Sequence, residues 1–69
     1  MRTLSGKQVC AILGVHGFVQ VRQRGSHIVM QKQLNGSTIT VPVHDHKEIW
    51  IGTLMSIIRQ SGLDRSLFA

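Results

Sequence analysis

This sequence is poor in the residues that cross-link small proteins. It has 69 residues and one cysteine, Cys10, so no disulfide can form within the chain and no site can be built from several thiolates. A chain of this length has room for one core, and we therefore expect a single domain over residues 1–69. A lone thiol is typical of a reducing compartment, which predicts a cytoplasmic protein.

Long apolar stretches are also missing. No run reaches the roughly 18 residues of a membrane span, and the first residues lack the apolar core of a signal peptide. The sequence contains no low-complexity segment, internal repeat or run of like charges. We expect a soluble protein without a membrane partner, whose charges lie on a folded surface.

Acidic residues are scarce. Three Asp and Glu stand against eight Lys and Arg, which gives a formal charge of +5 at pH 7. On so small a body this charge attracts polyanions and repels basic partners. It predicts a nucleic acid, or an acidic protein that imitates one, as the partner. The alternative is that the charge serves solubility alone.

Three alternating segments predict an antiparallel meander. FVQVRQR, HIVMQKQL and STITVPV alternate in polarity and are separated by Gly25-Ser26 and by Asn35-Gly36, a dipeptide that favours a type I′ turn. Before them, a capping-box pattern at Ser5 and Gln8 and a stop signal at Gly14 predict a helix over residues 6–13. Helices must cover one face of the sheet, because a meander alone cannot bury its apolar side.

The segment GTLMSIIRQSG returns to helical spacing. A second capping-box pattern, DHKE at residues 45–48, would start this helix earlier and place Gly52 inside it, where glycine costs up to about 1 kcal/mol. We therefore predict a turn at 45–48 and a helix from near Thr53 to a stop at Gly62. Asp64 is predicted to cap a last short turn.

A two-residue loop at Asn35 and Gly36 determines which residues of the second and third strands face one another. The predicted pairs are His27 with His44, Ile28 with Val43, Val29 with Pro42, Met30 with Val41 and Lys32 with Ile39. The apolar pairs form the covered face, and the two histidines lie on the open face. A turn at Gly25 and Ser26 sets Arg24 opposite His27 and Arg22 opposite Val29. The open face is then predicted to carry Gln20, Arg22, Arg24, His27, Gln31, Thr40 and His44.

His27 is the candidate catalytic residue. The unperturbed pKa of histidine, about 6.5, suits proton transfer near neutrality. RNA cleavage needs a base for the 2′-hydroxyl proton, a proton for the displaced oxygen and cations for the charged phosphorane. A histidine beside arginines supplies the first and the last of these without a metal ion or cofactor. The candidate RNA-binding residues are Arg22, Arg24, Gly25, Ser26, Lys32 and His44.

Other residues have alternative interpretations. His44 and His46 form an H-x-H pair that offers two metal ligands, but no cysteine or acidic cluster stands at a fitting distance. His16 is predicted to be a surface residue and Cys10 a core residue. Trp50, which lies between isoleucines, is predicted to pack in the core rather than to stack on a nucleic-acid base.

Three longer runs resemble a known family. GFVQVRQRGSHIVMQ, TVPVHDHKEI and GTLMSIIRQSGL are similar to the HicA (YcfA-like) toxins, the RNA-cleaving half of HicAB toxin–antitoxin pairs. The specific parts are G-S-H at 25–27, V-P-x-H at 41–44 and G-T-L-x-x-I-x-R-Q-x-G at 52–62. Each is weak alone, but their order and spacing make the resemblance specific over nearly the whole chain.

The resemblance implies an α+β fold like that of a double-stranded-RNA-binding domain, α-β-β-β-α, with helices on one face of a three-stranded antiparallel sheet. It also implies metal-independent mRNA cleavage, neutralisation by a HicB-type antitoxin and catalysis by the histidine of the G-S-H motif, His27. It assigns His44 no firm role. The alternatives are a non-catalytic double-stranded-RNA binder, which usually has a lysine cluster at the start of the last helix, and a protein-interaction module.

Overall fold

The computed structural model describes residues 3–69. In chain order the elements are α1 (Gly6–Val15), β1 (Val19–Arg24), β2 (His27–Leu34), β3 (Ser37–His44), α2 (Ile51–Ser61) and a 3-10 helix (Arg65–Phe68). The three strands form one antiparallel sheet in the order β1-β2-β3. The predicted α-β-β-β-α order and the meander are therefore confirmed.

Helix α1 begins with the predicted capping box. The Gln8 amide donates to the Ser5 hydroxyl at 3.1 Å, and the Ser5 amide donates to the Gln8 side chain at 2.9 Å. The predicted end at Gly14 is wrong, because the helix continues to Val15. Gly17, with φ +96°, takes the left-handed conformation that lets the chain leave the helix.

The turn at Asn35 and Gly36 keeps the predicted register but not the predicted type. A type I′ turn needs a positive φ at both central residues. Gly36 has φ +84°, whereas no non-glycine residue in 3–69 has a positive φ, so Asn35 avoids the strain of that conformation. The turn after β1 has its positive φ, +60°, at the first central residue, Gly25, as in type II′ turns.

Helix α2 begins at Ile51, slightly before the predicted start. Gly52 thus lies in the first helical turn, and residues 45–50 form no helix, as predicted. Gly62 ends the helix with φ +73°, which confirms the predicted stop. Within residues 3–69 no helix has the length and apolarity needed to cross a membrane.

The predicted cap at Asp64 is also confirmed. Its carboxylate accepts a hydrogen bond from the Ser66 amide at 2.8 Å and begins the 3-10 helix. This bond holds the pKa of Asp64 below its ordinary value. The short helix brings Phe68 into the core, where its side chain is fully buried.

Both helices cover the same face of the sheet. The buried core consists of Leu4, Val9, Leu13, Phe18, Ile28, Met30, Val41, Val43, Ile49, Leu54, Ile57, Ile58 and Phe68. Its four strand residues are alternate positions of β2 and β3, as the predicted pairing requires. The other face of the sheet is left uncovered by the helices and is available to a ligand.

Candidate active site

Two histidines meet at one end of the open face. His27 is the first residue of β2, His44 is the last residue of β3, and the two are directly opposite, which confirms the predicted pair. Their ring centroids lie 4.3 Å apart with the planes tilted by 50°. His27 is exposed and His44 is half-buried. The pair therefore presents two imidazoles to one solvent-accessible point.

Main-chain bonds continue beyond this pair. The Asp45 amide donates to the Ser26 carbonyl at 2.7 Å, so the segment before β2 and the segment after β3 stay hydrogen-bonded one residue beyond the histidines. The G-S-H turn is thus tied to the segment that follows β3 through the backbone of Ser26. Main-chain hydrogen bonds thus hold the backbone of the histidine pair both within the sheet and just beyond its end.

A third contact comes from α1. The Gly6 amide donates to the His46 carbonyl at 2.8 Å, and a Cβ atom built on Gly6 would overlap the carbonyl oxygen of His44. The same Cβ would lie 2.8 Å from the Cα of Asp45. Only glycine lets the helix approach this closely. Sequence reasoning missed Gly6, for which the one signal is a glycine in the first turn of a capped helix.

Two arginines extend the site along β1. Arg24 is opposite His27 and Arg22 is opposite Val29, as predicted. Both arginines line an open cleft of about 430 Å³ that also contains His27. The planar guanidinium groups suit bidentate contacts to phosphate oxygens.

A β-bulge changes the face of one predicted residue. The register between β1 and β2 shifts between Gln20 and Arg22, so Gln20 is opposite Met30 instead of lying on the open face. An extra residue in one strand reverses the alternation on one side of the bulge. The placement of Gln20 on the open face is therefore wrong, and its side chain donates to that of Gln23 at 3.3 Å.

Lys32 is not brought near His27. It is opposite Ile39 and alternates with the histidine side of β2, so it belongs to the helix-covered face together with Met30. Its ammonium nitrogen lies 5.9 Å from the centroid of the Phe18 ring. The candidate residues that come together at this end of the sheet are Arg22, Arg24, Gly25, Ser26, His27 and His44.

Trp50 does not pack in the core, so that prediction is wrong. Its side chain is 84% exposed, although the preceding Ile49 is buried. It lines a second cleft of about 430 Å³, which His44 also lines. The residues around this cleft are His44, His46, Glu48, Ile49, Trp50 and Thr53.

The remaining candidate ligands and nucleophiles are not organised as a separate site. The His46 ring lies edge-on to His44 with centroids 5.2 Å apart. In the described part of the chain, no group of three or more His, Cys, Asp or Glu side chains is arranged to hold a metal ion.

Burial and, secondly, the charge of Asp45 raise the pKa of Cys10, which keeps this thiol neutral. His16 is a half-buried helix C-cap.

Comparison with known proteins identifies the family of this chain. Residues 6–63 match the family described as "HicA toxin of bacterial toxin-antitoxin". No curated protein and no solved structure matches the chain. The matched range contains the G-S-H turn, both paired histidines and both arginines, and membership implies an antitoxin partner. The chain therefore belongs to the HicA toxin family of bacterial toxin–antitoxin systems.

Proposed function

We propose that this toxin is an mRNA-cleaving endoribonuclease that works without a metal ion and uses His27 as its base. The observation that carries the proposal is the contact between His27 and His44, whose ring centroids are 4.3 Å apart on an open face with arginines in register. Groups able to transfer protons and nearby cations are what cleavage of a phosphodiester by its own 2′-hydroxyl requires.

The proposed reaction is a transesterification. His27 accepts the proton of the 2′-hydroxyl, and the resulting oxygen forms a bond to the adjacent phosphorus. The bond between phosphorus and the 5′-oxygen breaks, and this oxygen takes up a proton. The products are a 2′,3′-cyclic phosphate and a 5′-hydroxyl, and the balance requires no oxidant, reductant or added water.

We assign the second proton transfer to His44. Its half-buried ring lies beside that of His27, so it can protonate the 5′-oxygen while His27 acts on the 2′-oxygen. Arg22 and Arg24, in the adjoining cleft, stabilise the charge that builds on the phosphorane. The arrangement thus gives each participant a distinct role.

Cleavage in the presence of EDTA tests this function. Purified toxin incubated with single-stranded RNA and excess chelator is expected to yield fragments with 5′-hydroxyl and 2′,3′-cyclic phosphate ends, identified by mass spectrometry. Loss of cleavage on chelation would overturn metal independence. Binding of RNA without any cleavage would instead support the non-catalytic RNA-binding module.

Salt dependence of binding tests the role of the arginines. Each phosphate contact to single-stranded RNA contributes about −0.7 to the slope of log K against log salt. Arg22→Ala and Arg24→Ala are therefore each expected to make the slope shallower by roughly this amount. The RNA carries 2′-O-methyl groups so that it is not cleaved, and binding is measured by fluorescence anisotropy of a labelled strand.

Lys32→Ala is the matched control for this experiment, because Lys32 lies on the opposite face of the sheet. It removes one positive charge, like each arginine variant, but should leave the slope unchanged. An equal effect of Lys32→Ala would show that overall charge, and not the cleft beside His27, determines binding.

A further inference from the structure

Trp50 has an exposure that neither the fold nor the proposed reaction explains. Its side chain is 84% exposed, and it is the one tryptophan of a chain that has no tyrosine. It follows the buried Ile49 and precedes α2, so the backbone directs it away from the core. Tryptophan is enriched at binding interfaces, where its ring contacts a partner.

The position of Trp50 connects it to the histidine pair. Trp50 and His44 line the same cleft, whereas His27 lines the cleft that contains Arg22 and Arg24. The ring centroids of His44 and His27 lie 4.3 Å apart, so the histidine pair links the lining of one cleft to that of the other. Each cleft has a volume of about 430 Å³, within the range of about 300–1,000 Å³ usual for ligand sites.

The two clefts differ in chemistry. The first contains two arginines and suits phosphate groups. The second combines the indole with the carboxylate of Glu48, which repels phosphate but accepts hydrogen bonds from the amino group of a base. A polynucleotide lying across the histidines would therefore place a phosphate in the first cleft and a base in the second.

We propose that Trp50 stacks on the base of a nucleotide next to the scissile phosphate and so holds the RNA strand across His27 and His44. This proposal rests on the RNA-cleaving function proposed above. Base stacking on an aromatic ring tolerates every base, since each base has a π-face. Glu48 lines the same cleft, where its carboxylate can accept a hydrogen bond from an N–H donor of the stacked base. The cleft opens onto His44, which favours the substrate over a protein as its occupant.

Indole fluorescence provides a direct test, because Trp50 is the only tryptophan of the chain. Titration with a short 2′-O-methyl RNA strand is expected to quench its emission to saturation. The midpoint should agree with the Kd measured by anisotropy of the labelled strand. A strand of the same length with abasic sites keeps the phosphates but offers no base, so it should bind without quenching.

Variants separate base stacking from general binding. Trp50→Ala is expected to weaken binding of the RNA strand by about 5- to 160-fold, the range for loss of one stacked base. Trp50→Phe should restore most of the affinity, and binding of the abasic strand should be the same in all three proteins. Val15→Ala is the matched control, since Val15 is 81% exposed and lies outside both clefts.

The outcomes distinguish this proposal from the proposed function. If Trp50→Ala binds RNA like the parent and RNA does not quench the indole, stacking on Trp50 is wrong while cleavage by His27 stands. If the parent neither binds nor cleaves RNA, both proposals fail. If the emission responds to the antitoxin but not to RNA, Trp50 belongs to the protein interface and the stacking proposal is overturned.

Discussion

Replacement of His27 with alanine is expected to lower the rate of RNA cleavage by about 10²- to 10⁴-fold, the contribution typical of one general base. The variant lacks the group that accepts the 2′-hydroxyl proton, while the arginines and His44 remain. His27 is exposed and makes no core contact, so the thermal midpoint should stay close to that of the parent. Single-turnover cleavage of a defined RNA measures the rate, and circular dichroism checks the fold.

A modified substrate distinguishes His27 from His44. In an RNA with sulfur at the scissile 5′-bridging position, the leaving group departs without protonation. With this substrate, His44→Ala should cleave at nearly the parental rate, whereas the cleavage rate of His27→Ala should remain low. Cleavage of ordinary RNA by His27→Ala at the parental rate would refute the assignment of the base.

Replacement of Gly6 with alanine is expected to destabilise the fold by about 3 kcal/mol, at the upper end of the usual cost of overpacking. The added methyl would overlap the His44 carbonyl and press on Asp45, and both obstacles are backbone that cannot rotate away. For a domain of this size such a loss lowers the thermal midpoint by roughly 12–24 °C. The free energy of unfolding of a small domain is only a few kcal/mol in total, so a fraction of the Gly6→Ala molecules would be unfolded at physiological temperature.

Gly14→Ala is the matched control in the same helix. A Cβ at Gly14 meets no atom within 4 Å, so the higher helix propensity of alanine should stabilise the fold by up to about 1 kcal/mol. The two changes are thus expected to shift the midpoint in opposite directions. The molecules of Gly6→Ala that remain folded should also cleave RNA more slowly, because the methyl displaces His44. Equal midpoints for Gly6→Ala and Gly14→Ala would disprove the close approach of α1.

The histidine pair could be predicted because local sequence determines it. The Asn35 and Gly36 loop sets the register of β2 and β3, and that register alone brings His27 opposite His44. The turn type was wrong, yet a two-residue loop of either type gives the same pairing. The start of α2 was predicted to within two residues, but Gly52 lies in its first turn and does not delay the helix.

Features that depend on distant parts of the chain could not be predicted in this way. The bulge next to Gln20 leaves no mark in the alternation of FVQVRQR. The contact of Gly6 with His44 joins residues that are far apart in sequence. Trp50 lies between two isoleucines, of which Ile49 is buried and Ile51 is 59% exposed. Its apolar neighbours in the sequence therefore do not predict whether its side chain is buried.

The helices and the histidines occupy opposite faces of the same three strands. Residues that alternate along β2 thus have different environments: Ile28 and Met30 are buried in the core, and His27, the proposed base, lies on the open face. Substitutions on the open face can therefore change what the proposed site binds while the core positions of the same strand stay unchanged. In the proposed ribonuclease, specificity for RNA and stability of the fold can thus vary independently.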